Sequence, residues 1–361
     1  MAWRGEAIDR RGFLKAAGIA FTAALSPRAL MALERADAVY ASGFRAPDGS
    51  FGIATVSERG EIIDRVALPA RAHGMAYSGA TGRAVAFARR PGTFAMVFDP
   101  AGRAEPIIVT SPEGRHFYGH GHFSPDGRLL YASENDFDGN RGMIGIYDAR
   151  DEFRRIGEFD AHGIGTHDMN VSDDGKLLVI ANGGIETHPD FGRTKLNLDR
   201  MEPSLVLIDA KTGALIQRHG LPISLRQLST RHLDMDGNGR IWFACQWEGA
   251  RNALPPLAGW FSRGEDIALL SLPEETTARL GNYVGAIAVN RREGLVGLTS
   301  PVGGAAVTLD AKTGVVLKEE AVRDAAGVAP AARGIAVSSY DGQFNETRSQ
   351  VAWDQHIALL K

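Results

Sequence analysis

One plan recurs along this chain. Four segments share it: AHGMAYSGATGRAVAFARRPGTFAMVFDPAGR from Ala72, GHGHFSPDGRLLYASENDFDGNRGMIGIYDAR from Gly119, THDMNVSDDGKLLVIANGG from Thr166 and RHLDMDGNGRIWFACQWEG from Arg231. A fifth, VGAIAVNRREGLVGLTSPVGGAAVTLDAKTG from Val284, keeps the plan without the histidine, and a shorter sixth starts at Ala326. Each has a short apolar strand, a glycine turn, a second strand, a loop and a third strand ending near Asp. A more polar fourth strand often follows. His73, His120 and His167 mark starts that are 47 residues apart, close to the ~40–45 of four-stranded propeller blades. The alternation has period two, and only Pro273–Arg279 reads as a helical turn. Such units cannot bury both faces alone and must stack in a ring.

The pattern therefore predicts an all-β fold, a β-propeller of four-stranded WD40/YVTN-like blades, with seven blades and six as the alternative. A two-domain β-sandwich has no reason to keep a fixed period. The N-terminal strands near Val39–Phe44, Phe51–Ser57 and Glu61–Leu68 start a blade partway, and Ala326–Leu360 looks incomplete. Joining the two ends would close the ring and remove exposed edges. Longer intervals mark insertions at Gly183–Pro203 and Glu248–Glu265.

Composition narrows the function classes. With 44% apolar and 23% charged residues, this is a globular chain. The net charge of -3, without a Lys/Arg block, argues against nucleic acid as a partner. The single cysteine, Cys245, lies in the apolar run IWFACQW and reads as a buried small hydrophobe. The first residues hold Arg10-Arg11-Gly12-Phe13-Leu14-Lys15, then an apolar stretch from Ala16 to Leu25. That order resembles a twin-arginine export signal. The stretch is too short to span a bilayer, which takes about 20 residues. Residues 1–38 are expected to be a signal peptide cleaved after Ala38, with Ala32 as the alternative, and 39–361 a single propeller domain in the periplasm.

Aligned on their first turns, His73, His120, His167 and His232 all fall at the start of the innermost strand. Four blades would then present an imidazole toward one mouth of the central channel. Arg71, Arg231 and Asp168 sit beside them, and His122, two residues after His120, should share its face and point deeper. Neutral imidazole suits iron, copper, nickel and zinc, so the four histidines are candidate metal ligands, with iron or copper as the candidate ions. The arginines favour a carboxylate or other anion as the alternative. Histidines in blades also serve as structural hydrogen-bonding groups, the reading that fits His116. The insertion NGGIETHPDFGRTKLNLDRMEPS adds Glu186 and His188 as candidate binding residues, with Asn182, Asp190, Arg193, Lys195 and Asn197. In the other insertion, Trp247, Trp260 and Phe261 could form a partner surface or pack over a blade rim. No HExxH, phosphate loop, nucleophile elbow or complete calcium loop is present, so SPDG and DGNG read as hairpin turns.

Several blocks together resemble one family. They are VAFARRPGTFAMVFD (Val85–Asp99), RHFYGHGHFSPDGRLLYASENDF (Arg115–Phe137), RRIGEF (Arg154–Phe159), NGGIETHP (Asn182–Pro189), KLNL (Lys195–Leu198), RHL (Arg231–Leu233), LPPL (Leu254–Leu257) and NYVGAIAV (Asn282–Val289). The resemblance is to a domain-of-unknown-function family of twin-arginine-exported bacterial β-propellers. Its members are often encoded beside imelysin-like iron-regulated periplasmic proteins and a dihaem peroxidase-like protein. It implies a role in iron acquisition or handling, with those proteins as partners, and supplies no reaction. The C-terminal stretch YDGQFNETRSQVAWDQHIALLK departs from the family's usual end, which bears on the closing blade. The reading favours a non-enzymatic propeller that binds a metal, a metal complex or a partner protein. The alternatives are a lactonase- or cyclase-like enzyme using His167, Arg231 and Glu186, and a pure interaction scaffold.

Overall fold

The computed structural model describes residues 35–361. The twin-arginine stretch lies outside the described residues. Within them, 28 strands, β1 to β28 in chain order, form seven antiparallel sheets of four strands each. Six sheets use consecutive strands, spanning 72–110, 115–160, 166–220, 228–269, 286–321 and 325–348. The seventh joins the two ends. In it β28 (Ala352–Leu359) pairs with β1 (Tyr40–Arg45), followed by β2 (Phe51–Val56) and β3 (Ile62–Leu68). The expected seven-bladed propeller is what forms. The supposedly incomplete C-terminal segment is a full blade, 325–348, plus the strand that closes the first one.

The strand sequences explain where the core lies. Second strands such as Arg83–Ala88 (RAVAFA) and Leu177–Asn182 (LLVIAN) are almost continuously apolar and buried. They are sandwiched between neighbouring blades, so both faces need apolar side chains. Outermost strands alternate instead, as in Arg154–Asp160 with every second residue exposed. The apolar clusters accordingly sit between blades. One joins Phe87 and Val97 to Phe117, Phe123 and Leu130; another joins Tyr40 and Phe44 to Phe344 and Trp353. A fully buried side chain of this size contributes about 1.5–3 kcal/mol. These interfaces hold the ring together and leave its axis for polar groups.

The turns follow from local hydrogen bonding. In Ser124-Pro125-Asp126-Gly127, the Asp126 carboxylate accepts from the Ser124 hydroxyl and from the Arg128 amide, and Gly127 takes φ 68°. Ser172-Asp173-Asp174-Gly175 repeats this with Lys176. At the two DAKTG turns, Asp209 and Asp310 each accept from the amide and hydroxyl of the Thr three residues on. This is the physical reason that third strands end on Asp.

The segment Glu248–Glu265 is not an insertion throughout, because it contains β18 (Ala258–Phe261), the third strand of its blade. Phe261 is fully buried, and Trp260 packs on Trp242 with ring centroids 4.9 Å apart and under the Arg240 guanidinium. The blade needs these rings as core, so this stretch offers no Trp260–Phe261 partner surface.

Candidate metal centre in the propeller channel

Seven strands line the channel: β4 (Ala72–Ser78), β8 (Arg115–Phe123), β12 (Thr166–Val171), β16 (Leu228–Met235), β20 (Ala286–Asn290), β24 (Ala325–Pro330) and β28. Pairing with the next strand breaks register between Ala72 and Met75, Phe117 and Gly121, Thr166 and Asp168, and Thr230 and His232. The pairing of β28 breaks at the same level, opposite Gly43. A bulge frees residues from the ladder and re-aims their side chains. His73, His120, His167 and His356 sit in such breaks, and His232 borders one.

Five imidazoles therefore converge on the axis. Ring centroids are 4.6 Å apart for His120 and His356, 4.8 Å for His73 and His120, 5.0 Å for His120 and His167, and 4.8 Å for His167 and His232. One nitrogen from each ring falls into two overlapping triplets, His73–His120–His356 and His120–His167–His232. Within each triplet these atoms lie within 4.8 Å of one another. The approach requires glycine. Gly119 has φ 108°, and a Cβ there would lie 2.7 Å from the His73 ring; one on Gly74 would lie 2.6 Å from His120 Nδ1. Gly119→Ala is expected to lose about 2 kcal/mol or more in chemical denaturation, from overpacking and backbone strain. A loss below about 0.5 kcal/mol, the ordinary surface range, would mean that the ring relaxes freely.

Burial and mutual repulsion hold His73, His232 and His356 well below the usual imidazole range, and burial with the Arg231 charge does the same to His167. These rings are neutral near pH 7, the form that binds metals. A ring nitrogen is buried without a partner in every one: Nδ1 of His73, Nε2 of His120, His167 and His356, and both nitrogens of His232. Neighbours set two tautomers. His120 Nδ1 faces Asp168 Oδ1 at 3.2 Å, which holds the proton there and leaves the Nε2 lone pair free, the arrangement of a carboxylate–histidine–metal triad. Arg231 Nη1 donates to His167 Nδ1 at 3.3 Å. Arg has only donors, so the His167 proton is on Nε2 and that nitrogen offers no lone pair.

The ring divides two cavities. One, of about 130 Å³ at the upstream ends of the inner strands, is lined by His73 and His167 with Arg89, Arg90, Arg193 and Arg231. The other, of about 280 Å³ further along the strands, is lined by His120, His232 and His356 with His122, Asp168 and Asp234. The histidines were expected at a mouth; they lie inside the channel, because the bulges fall within the strands rather than ahead of them.

The candidate residues separate accordingly. His73, His120, His167, His232, Asp168 and Arg231 come together. His122 lines the downstream cavity and its Nδ1–H donates to the Phe123 carbonyl at 2.9 Å. Asp168 also accepts from the Leu233 amide at 3.0 Å, and Asp234 repeats this toward Val289 at 2.6 Å, so both tie adjacent blades. Arg71 is held by Asp354, at 2.6 Å, and does not line the cavity. Glu186 and His188 are not brought to the ring. Glu186 pairs with Arg200, and His188 accepts from the Asp190 amide while packing on Phe137. The loop places its Arg193 and Lys195 at the channel instead. His116 is tied to the Phe117 carbonyl and the Asn135 amide, away from the axis. Sequence reasoning missed His356, Arg89 and Arg90. The signal for His356 was ring closure itself: a last strand that completes the first blade is an inner strand, so its histidine belongs to the register.

A family model matches residues 66–360, six blades and the closing strand. The chain belongs to this family, described as a protein of unknown function (DUF1513). No curated protein matches the chain. Among solved structures it is similar to Kuenenia stuttgartiensis hydrazine synthase, at 14% identity and TM-score 0.60, covering 82% of this chain and 91% of that one. It is also similar to the β-propeller domain of Myceliophteria thermophila Cps50 (Swd1), at 10% identity and TM-score 0.57, covering 81% and 88%. At these identities the likeness shows the propeller fold alone. For a DUF1513 chain, function has to be argued from the channel.

Proposed function

We propose that this propeller is an exported metal-binding protein that holds one first-row transition ion, iron or copper, on its histidine ring. The observation that carries the reading is the set of five buried imidazoles, each with an unpartnered ring nitrogen. A buried polar group without a partner costs stability, about 1–3 kcal/mol each, and an ion would satisfy several at once. The His73–His120–His356 triplet fits best, because His120 has its outer nitrogen turned to Asp168 and His167 is occupied by Arg231. Nitrogens bound at about 2.0–2.1 Å in a tetrahedral site stand about 3.3 Å apart, so the triplet closes by a modest ring movement. Imidazole donors without thiolate suit iron and copper; Cys245 is buried in β17 (Ile241–Trp247), in a blade interior.

The twin-arginine pattern supports export in a folded state, and the family resemblance supports a place in iron handling with imelysin-like and dihaem peroxidase-like partners. The enzyme alternative is weakened, since Glu186 pairs with Arg200 and does not line the cavity that holds His167 and Arg231. The test is elemental analysis of the protein taken from its native compartment, followed by anaerobic Fe(II) and aerobic Cu(II) titration of the stripped chain. One equivalent bound with a Kd of about 1 μM or tighter is expected. Absence of binding by either ion would end the reading.

A further inference from the structure

We infer that the upstream cavity is an anion site, taking a small oxyanion of two or more negative charges, phosphate- or oxalate-like, beside the ring. Five cations line or reach this space of about 130 Å³: Arg89, Arg90, Arg193, Lys195 and Arg231, with no Asp or Glu among the lining residues. Glu248 is the carboxylate that compensates them, and it is shared between Lys195 and Arg231. Neither Arg89 nor Arg90 pairs with a carboxylate among the described residues. The crowding is electrostatically unfavourable without a counter-charge: burial and neighbouring guanidiniums pull Arg90 and Arg193 down to about 10.

A second, independent observation points to a ligand. The Arg231 side chain is 8% exposed, and its Nε–H is buried without an acceptor; the His167 Nε2–H next to it is in the same condition. Both are donors, so an acceptor-only anion completes them and at the same time offsets the surrounding positive charge, which a cation would not do and water would do only in part. The volume suits a few heavy atoms. The position of the anion beside a ring-bound ion rests on the metal reading, since three imidazoles leave coordination positions open to an oxygen ligand. The anion site itself does not depend on it.

The experiment titrates sodium phosphate and sodium oxalate calorimetrically into the full mature chain, stripped of metal and then loaded with Zn(II) as a redox-inert probe. Binding to the stripped chain is expected, weakening with added salt. Arg90→Gln and Arg193→Gln should each weaken it by about tenfold, the loss of one charge-assisted contact. Arg193 lies on a loop outside the blade sheets, so its variant keeps the fold and the test stays open if Arg90→Gln misfolds. Arg154 is exposed, pairs with Asp151 and does not line this cavity, so Arg154→Gln should leave anion affinity of the stripped chain within about twofold. No binding by stripped wild type, or binding unchanged in Arg193→Gln, overturns the anion site. Anion binding retained with zinc binding absent strikes only the metal reading. With zinc bound, anion affinity should rise about fivefold or more; no rise overturns the placement beside the ion. Whichever of the two anions binds tighter assigns the site to tetrahedral oxyanions or to carboxylates.

Discussion

His120→Ala is expected to weaken the proposed transition-metal binding by about 100-fold or more, and His167→Ala by less than about fivefold. The asymmetry follows from position. His120 belongs to both triplets, so its removal leaves no intact set. His167 is committed to Arg231 through Nδ1, and its other nitrogen carries the proton. Asp168→Asn falls between them, at about 10–100-fold, the usual effect of losing the carboxylate behind a ligating imidazole. Competition titration against a chromophoric chelator reads all three. Equal losses at His120 and His167 would refute the tautomer assignment. No loss at His120 would leave the ring as structural packing.

Stability of the metal-free chain is expected to fall between pH 7.5 and 5.5, by up to about 5 kcal/mol. The sign follows from the depressed folded-state values of His73, His167, His232 and His356. Below their unfolded value of about 6.5, the unfolded chain takes up protons that the folded ring excludes. Stability from these groups is therefore present above pH 6.5 and lost below it. Each contributes up to about 1.4 kcal/mol per pH unit, and four act together. His116 and His122, also lowered by burial, add in the same direction. Asp234 acts oppositely: burial pushes it up to about 6, so its protonation below that pH returns about 1 kcal/mol. Urea denaturation at the two pH values measures the difference. Unchanged stability at pH 5.5 would mean that the folded ring takes up protons after all. A bound ion should shift the acid limb to lower pH, because protons must then displace it.

The blade architecture was legible because its cause is local. Period-two alternation, Asp-rich turns and a 47-residue spacing each depend on a few neighbouring residues, and such units stack into a closed ring, whose count of seven rather than six was decided by how the two ends pair. The alignment of His73, His120, His167 and His232 was legible for the same reason, since register within a repeat is a sequence property. His356 was not read because its blade is assembled from both ends of the chain. Arg89 and Arg90 follow the second strand of their blade, outside the aligned inner positions, and nothing local marks them as facing the axis. Glu186 and His188 were read as binding residues because they sit in a polar loop. Polarity there serves the loop's own contacts, to Arg200 and to the Asp190 amide, and the fold alone decides that Arg193 and Lys195 are the side chains that reach the channel.

By itself, then, the sequence determined the blade period, most of the strands and the shared register of four imidazoles. The tertiary structure decided what those imidazoles are. Closure brought in the fifth, bulges turned them onto one axis, and burial made four of the five neutral. Asp168 from one side and Arg231 from the other divided lone pair from proton. These are properties of distances between blades, and a one-dimensional repeat specifies its own register without specifying what stands across the ring.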